Sequence, residues 1–268
     1  MIEKKVRWVV QSNLLSENDI ELIKDACDQL DIEFFPVKVI PFSTEIPYIP
    51  IDKKFNIYYG STLFIDNVNQ KLNNPKGIFY SSEEFTMSNY INKWGNHLLS
   101  SEAQITNFNE LCAKEYDVTS EWFIRPNADD KSFAGIIMDF QSIKDWKNKF
   151  QQFDSVELNE KTEILVGPAY HIKKEWRNFI VDKKIISSSL YRKDHKLYIS
   201  STDIPNEMLQ FVLARCEEYT PNSIFVMDIG LCGDNYYIIE CGCMNSAGFY
   251  LANVNSIVKA VSESLSEK

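Results

Sequence analysis

The stretch that most constrains this chain is its last strand pair, Ser223 to Tyr250, where two apolar runs each carry one carboxylate. The runs, Ile224 to Ile229 and Tyr236 to Ile239, flank the turn signal Cys232-Gly233-Asp234-Asn235, and the carboxylates are Asp228 and Glu240. A hairpin with an odd number of connecting residues sets 228 opposite 240 and sends both side chains to one face. A carboxylate within an apolar strand is costly to bury unless it is paired or metal-bound, so two that converge are candidate ligands for a hard cation. The alternative is that Asp228 faces solvent and Glu240 simply ends its strand.

At 268 residues the chain exceeds what one small core usually serves, so two domains or one lobed domain is expected. Charge argues against a nucleic-acid coat: Lys and Arg number 28 against 38 Asp and Glu, a net of −10, with no basic stripe able to neutralise a phosphate backbone. No apolar stretch approaches a membrane span, and the N-terminus runs directly into a strand-like segment. A soluble, cytoplasmic protein with neither nucleic-acid nor membrane partner is expected, and homo-oligomerisation stays open. Cys27, Cys112, Cys216, Cys232, Cys241 and Cys243 are scattered, and Cys241-Gly242-Cys243 lacks the second pair a zinc site needs. They read as reduced thiols, with a redox role for Cys241 and Cys243 as the alternative to packing.

In chain order, Lys5 to Gln11 reads as a strand, Ser16 to Asp19 as a capping box before a helix, and Phe34 to Ile40 as the next strand. Strand, helix, strand favours a parallel α/β arrangement. After a proline-rich interruption, Phe55 to Tyr59 is a strand and Ile78 to Tyr80 a shorter candidate. Residues 81–114 carry apolar side chains at mainly helical spacing, predicting helices that join two lobes. Glu121 to Arg125 and Ile136 to Met138 are strands around a turn, with Arg125 and Lys131 at one end. Ser142 to Phe150 is an amphipathic helix and Thr162 to Tyr170 an apolar strand ended by Gly167-Pro168. Glu175 and Arg177 are two apart on a strand and share a face, which an exposed ion pair would equally explain. Asn206 to Glu218 and Asn253 to Leu265 are the closing helices.

The second half thus sets cations (Arg125, Lys131, Arg177) and carboxylates (Glu175, Asp228, Glu240) on successive hairpins. That set suits a nucleoside triphosphate held by Mg²⁺, with cations on phosphate oxygens and carboxylates on metal. No Walker-type or G-x-G-x-x-G loop is present. Nothing among His97, His171 and His195 forms a Ser/His or Cys/His nucleophile arrangement.

Four segments in order, FIRPNADDKSFAG (Phe123 to Gly135), EWRNFIVDKKIISSSLY (Glu175 to Tyr191), VMDIG (Val226 to Gly230) and IIECGCMNSAGFY (Ile238 to Tyr250), resemble the motifs of the ATP-grasp superfamily. The likeness is to its clade of small bacterial and phage proteins with R-P…K-x-F-x-G and E-x-R-x-F elements, and it covers about residues 119–255. The resemblance implies an α/β and α+β protein: an N-terminal α/β domain of the pre-ATP-grasp kind over 1–85, a helical connection over 86–118, and a two-lobed ATP-grasp domain over 119–268 with ATP between the lobes. It implies that Arg125 and Lys131 contact phosphates and that Leu165 and Val166 give adenine its backbone hydrogen bonds. Glu175 would lie by the ribose or substrate, Arg177 by the phosphates or acyl group, and Asp228 and Glu240 on Mg²⁺. Where the family pattern E-x-N has its Asn, this chain has Gly242, and Asn245 is the implied replacement ligand. The implied activity is ATP-dependent carboxylate–amine ligation through an acyl phosphate, with Arg177 and Lys131 catalytic and small-molecule or peptide carboxylates and amines as substrates. A nucleotide-binding relic that senses or scaffolds and a phosphotransferase are the alternatives.

Overall fold

The protein, seen in a computed structural model, is described over residues 6–50, 52–129, 132–150 and 158–266. Strand β1 (Val6–Gln11) is buried along its whole length, as befits the middle strand of a parallel sheet. Ser16 caps α1 (Glu17–Gln29), its hydroxyl accepting from the Asp19 N–H at 3.4 Å. Strands β2 (Glu33–Val37) and β3 (Phe55–Tyr59) flank β1 in parallel. The second strand stops short of Ile40 because Val39 is tied to a side chain instead: its N–H donates to Asn13 Oδ1 at 2.9 Å and its carbonyl accepts from Asn13 Nδ2 at 2.8 Å. Helix α2 (Thr62–Lys71), capped by Ser61, has no counterpart in the sequence reading. Ile78 to Tyr80 is not a strand. It is pinned at single points, with the Tyr58 N–H on the Gly77 carbonyl (3.3 Å) and the Phe79 N–H on Asn245 (2.8 Å).

Helix α3 (Met87–Trp94) follows, but residues 86–118 are not the wholly helical connection expected. They contain β4 (Gln104–Asn107) before the short α4 (Phe108–Cys112). Strand formation wins at β4 because it pairs with a later strand, a tertiary partner that local spacing does not reveal. Next come β5 (Glu121–Pro126), β6 (Ile136–Asp139), α5 (Phe140–Phe150) and β7 (Glu163–Gly167). These strands make an antiparallel sheet in the order β4-β7-β5-β6, with Phe108, Phe140 and Ile143 in the core beneath it.

The larger sheet is built from β8 (Lys174–Val181), β9 (Lys184–Lys193), β10 (Lys196–Ser200), β11 (Ile224–Cys232) and β12 (Asn235–Gly242). Its order is β10-β9-β8-β11-β12, antiparallel throughout. Helix α6 (Asn206–Glu218) lies between β10 and β11 in the chain, and α7 (Val254–Ser266) closes it. The period-2 alternation of β8 and β11 separates two faces. Trp176, Ile180, Phe225, Met227 and Ile229 pack with α3 and α6, whereas Phe179, Val181, Ile224 and Val226 join a core shared with β1, α1 and α7. The Trp8 Nε1–H donates to Ser262 Oγ at 3.0 Å, so the closing helix fastens the N-terminal sheet to the large one.

The second face is apolar only as far as Phe179 and Val226. Beyond them the same strands carry Arg177, Glu175 and Asp228. Asp228 does face Glu240, though not through an odd turn. Cys232 pairs with Asn235, leaving the two turn residues Gly233 and Asp234, with Gly233 at φ 61° in the left-handed region. Such a turn alone would set 228 against 239; a β-bulge at Ile239 moves Glu240 into register.

Candidate active site

A cleft of about 700 Å³ opens between the two antiparallel sheets, lined from one side by Phe123, Arg125 and Ile136 and from the other by Glu175, Arg177, Asp228 and Glu240. Strand alternation supplies the polar members. Arg177 and Asp228 are cross-strand neighbours, and Glu240 faces Asp228 from the opposite side.

Each carboxylate of the hairpin meets an arginine. Arg177 forks onto Asp228, Nε to Oδ1 at 2.9 Å and Nη2 to Oδ2 at 2.8 Å, and Asp228 is almost fully buried. Burial pushes the Asp228 carboxyl upward, and the Arg177 charge and hydrogen bonds oppose that rise. For Arg177, burial disfavours the charge, yet the attraction of Asp228 and their hydrogen bonds together raise its pKa. Across the cleft, Arg125 Nη1 reaches Glu240 Oε2 at 2.5 Å. Burial disfavours the Arg125 charge, but Glu240 first and Asp129 after it hold the guanidinium protonated.

A second layer fixes Arg177. Its guanidinium lies 5.7 Å from the Tyr191 ring centroid and 5.3 Å from that of Tyr250, and the two rings stack 5.0 Å apart at 11°. Tyr250 sits at φ 52°, a conformation costly for an aromatic residue that the stack and the bond from the Leu251 N–H to Ser189 Oγ (3.1 Å) retain. The Tyr191 hydroxyl donates to Glu175 Oε2 at 2.7 Å, and burial keeps that phenol protonated. Arg192 Nη1 approaches both Glu175 oxygens at 3.4 Å. Glu175 and Arg177 are therefore not an exposed ion pair: Glu175 is buried, and each has its own partner.

Of the residues singled out in the sequence, Arg125, Glu175, Arg177, Asp228 and Glu240 share the cleft. Lys131 lies outside the described residues. Asn245 is corrected as a metal ligand, since its amide is spent elsewhere. Nδ2 donates to the carbonyls of Tyr58 (2.6 Å) and Gly77 (2.8 Å), while Oδ1 accepts from the Phe79 N–H and the Cys243 thiol. It clasps the N-terminal sheet. Leu165 and Val166 are corrected too: both are buried in β7, which pairs with β4 on one side and β5 on the other, so the ladders use the backbone groups that adenine would need. Pro168 and Tyr170, just past the strand end, line the cleft instead.

The sequence reading missed Arg192, His195 and Asp129 as cleft residues. Asp129 is the instructive one. A Cβ on Gly242 would lie 3.5 Å from Asp129 Oδ2, so a carboxylate from the first lobe stands beside the position where the family's Asn side chain would project. Its signal was the acidic pair that follows Arg125-Pro126 in the turn. Cys241 and Cys243 are buried free thiols, and burial pushes Cys241 well above the usual thiol range. Among the described residues no group of three or more His, Cys, Asp or Glu could hold a metal unaided, and no helix is long and apolar enough to cross a membrane.

Two antiparallel sheets that hold cations and carboxylates across a cleft, preceded by a parallel α/β unit, define the ATP-grasp class of fold, and solved structures agree. An ATP-grasp RimK domain protein from Sphaerobacter thermophilus DSM 20745 aligns at TM-score 0.59 and 10% identity, over 95% of this chain and 99% of that one. D-alanine–D-alanine ligase from Bacillus anthracis complexed with ATP gives 0.58 and 12%, over 98% and 99%. The macrocyclase MdnC from Microcystis aeruginosa MRC, bound with precursor peptide MdnA, gives 0.57 and 12%, over 96% and 99%. At such identities the likeness is one of fold. The sequence itself matches a clade-specific family of ATP-grasp domains over residues 101–260, and the chain belongs to that ATP-grasp family. No curated protein matches it in sequence.

Proposed function

We propose that this protein is an ATP-dependent carboxylate–amine ligase. The observation that carries the reading is the convergence of two arginines and two carboxylates, Arg125 with Glu240 and Arg177 with Asp228, in one cleft between lobes. In the reaction, a substrate carboxylate oxygen attacks the γ-phosphorus of ATP, ADP leaves, and an amine then displaces phosphate from the acyl phosphate to give an amide. Arg125, Arg177 and Lys131 bind the phosphates and offset the charge that builds on the transferring oxygens. Glu175, held by Tyr191 and Arg192, orients the ribose or the acceptor.

The hard oxygen donors of Asp228 and Glu240 fit Mg²⁺, which takes one or two protein carboxylates and draws its other ligands from phosphate and water. When bound it would bridge the phosphates and neutralise their charge. The two carboxylates are already neutralised by arginines, so nucleotide loading exchanges partners: the guanidiniums turn to phosphate oxygens as the carboxylates turn to metal. Six free cysteines support a reducing compartment, and we assign the protein to the cytoplasm.

Mg²⁺-dependent ADP release measured against a panel of carboxylates and amines tests the reading, and product without an amide bond would contradict it. Gly242, which offers no donor, favours one second reading, a nucleotide-binding module without turnover. ATP binding with no ADP release on any pair in the panel would support that reading.

A further inference from the structure

Strand β10 is the outer edge of the five-stranded sheet, and it exposes three consecutive apolar side chains, Leu197 at 77%, Tyr198 at 52% and Ile199 at 45%. An apolar edge strand offers unpaired backbone groups to another chain, so proteins either blunt it or use it. Here the surrounding charge selects the partner. In a chain of net charge −10, the β9–β10 hairpin carries Arg192, Lys193 and Lys196. The cross-strand pair of Lys193 and Lys196 would repel a second copy of the same edge and attract an acidic segment.

Register connects this edge to the cleft. Leu197 lies opposite Arg192, and Arg192 lies opposite Glu175, so Leu197 sits on the sheet face that bears the candidate site. The hairpin turns at Asp194 and His195, both in the left-handed region at φ 47° and 62°, and His195 lines the cleft mouth. Its Nε2 is 3.2 Å from His171 Nδ1, which anchors the tip there.

We propose that β10 docks an extended acidic peptide segment by strand addition, and that this segment belongs to the carboxylate substrate of the ligase. Main-chain hydrogen bonds would supply affinity, Leu197 and Ile199 the apolar contacts, and Lys193 and Lys196 the preference for acidic side chains. Strands lie about 4.8 Å apart, so an added strand would be roughly 14 Å from β8, beyond direct reach of Arg177. The edge is therefore an anchor, and the reacting carboxylate lies a few residues further along, at about 3.3 Å per extended residue. The substrate role rests on the ligase reading; the docking does not.

The test uses the full chain and fluorescein-labelled peptides of about ten residues, the length of a long strand. One alternates Glu with Val, one alternates Lys with Val, and one is the Glu–Val peptide with alternate backbone nitrogens methylated. Fluorescence anisotropy should show binding of the first alone, weakened at least about tenfold by the exposed double change Leu197→Glu with Ile199→Glu. Equal binding of all three peptides, no binding, or an unchanged affinity in the double variant would overturn the docking site. So would a dimer in sedimentation that the double variant dissociates, because the edge would then serve a second copy. Calorimetric ATP affinity should be the same in wild type and double variant. If wild type binds no ATP, the ligase reading fails while the anisotropy result stands by itself.

Discussion

The two arginine–carboxylate pairs of the cleft are alike in chemistry and different in support. Arg177 and Asp228 sit on adjacent strands of one sheet, held in register by the ladder, with side chains 15% and 2% exposed. Arg125 and Glu240 belong to different sheets, and the Glu240 side chain is 32% exposed. The first pair is part of how the large sheet satisfies its own buried charge. The second exists only while the lobes face each other, and so acts as a latch across the cleft. A buried pair is costly to break because one charge is stranded, whereas a partly exposed one gains less and loses less.

The largest effect should come from breaking the inner pair. Asp228→Asn strands the Arg177 charge and should cost about 3–5 kcal/mol in urea unfolding, along with all Mg²⁺-dependent ADP release. Replacing both partners, Arg177→Met with Asp228→Leu, should regain most of that stability; a double variant as unstable as the single one would show that the pair is not what the loss reports. Next comes Asn245→Ala, which strands the Tyr58 and Gly77 carbonyls and the Phe79 N–H and should cost roughly 2–4 kcal/mol. Mn²⁺ affinity in the presence of a nucleotide should be unchanged in this variant, and a fall would return Asn245 to the metal.

Breaking the outer pair should do less to the fold. Glu240→Gln should cost about 1 kcal/mol and lower the melting temperature by about 2–4 °C. Added salt should narrow its difference from wild type, and ADP release should still disappear. Smallest is Gly242→Ala, whose Cβ meets Val226 at 3.4 Å and Asp129 at 3.5 Å, ordinary contacts. A change within about 0.5 kcal/mol is expected by chemical unfolding.

The difference between the pairs also marks what the sequence could reveal. Asp228 and Glu240 stood out because a carboxylate in an apolar strand breaks the pattern, and Arg125, Glu175 and Arg177 because ordered motifs surround them. Their partners were hidden. Nothing local tells that Arg177 forks onto Asp228, 51 residues away, or that Asn245 reaches back 187 residues to Tyr58. The hairpin register was reached for the wrong reason, since a bulge at Ile239 rather than an odd turn aligns Glu240. Strand β4 was read as helix because four residues carry little periodic signal and their partner β7 lies far along the chain. Leu165 and Val166 were correctly seen as strand, but periodicity cannot tell an edge from a strand paired on both sides.

The central claim is that the cleft takes a magnesium nucleotide and that the arginines move from carboxylate to phosphate. Calorimetric titration of AMPPNP with Mg²⁺ into wild type and Arg125→Ala tests it most directly. Saturable binding to wild type, weakened at least about tenfold in the variant, is the predicted result. No binding to wild type, or equal affinity in both proteins, would contradict it.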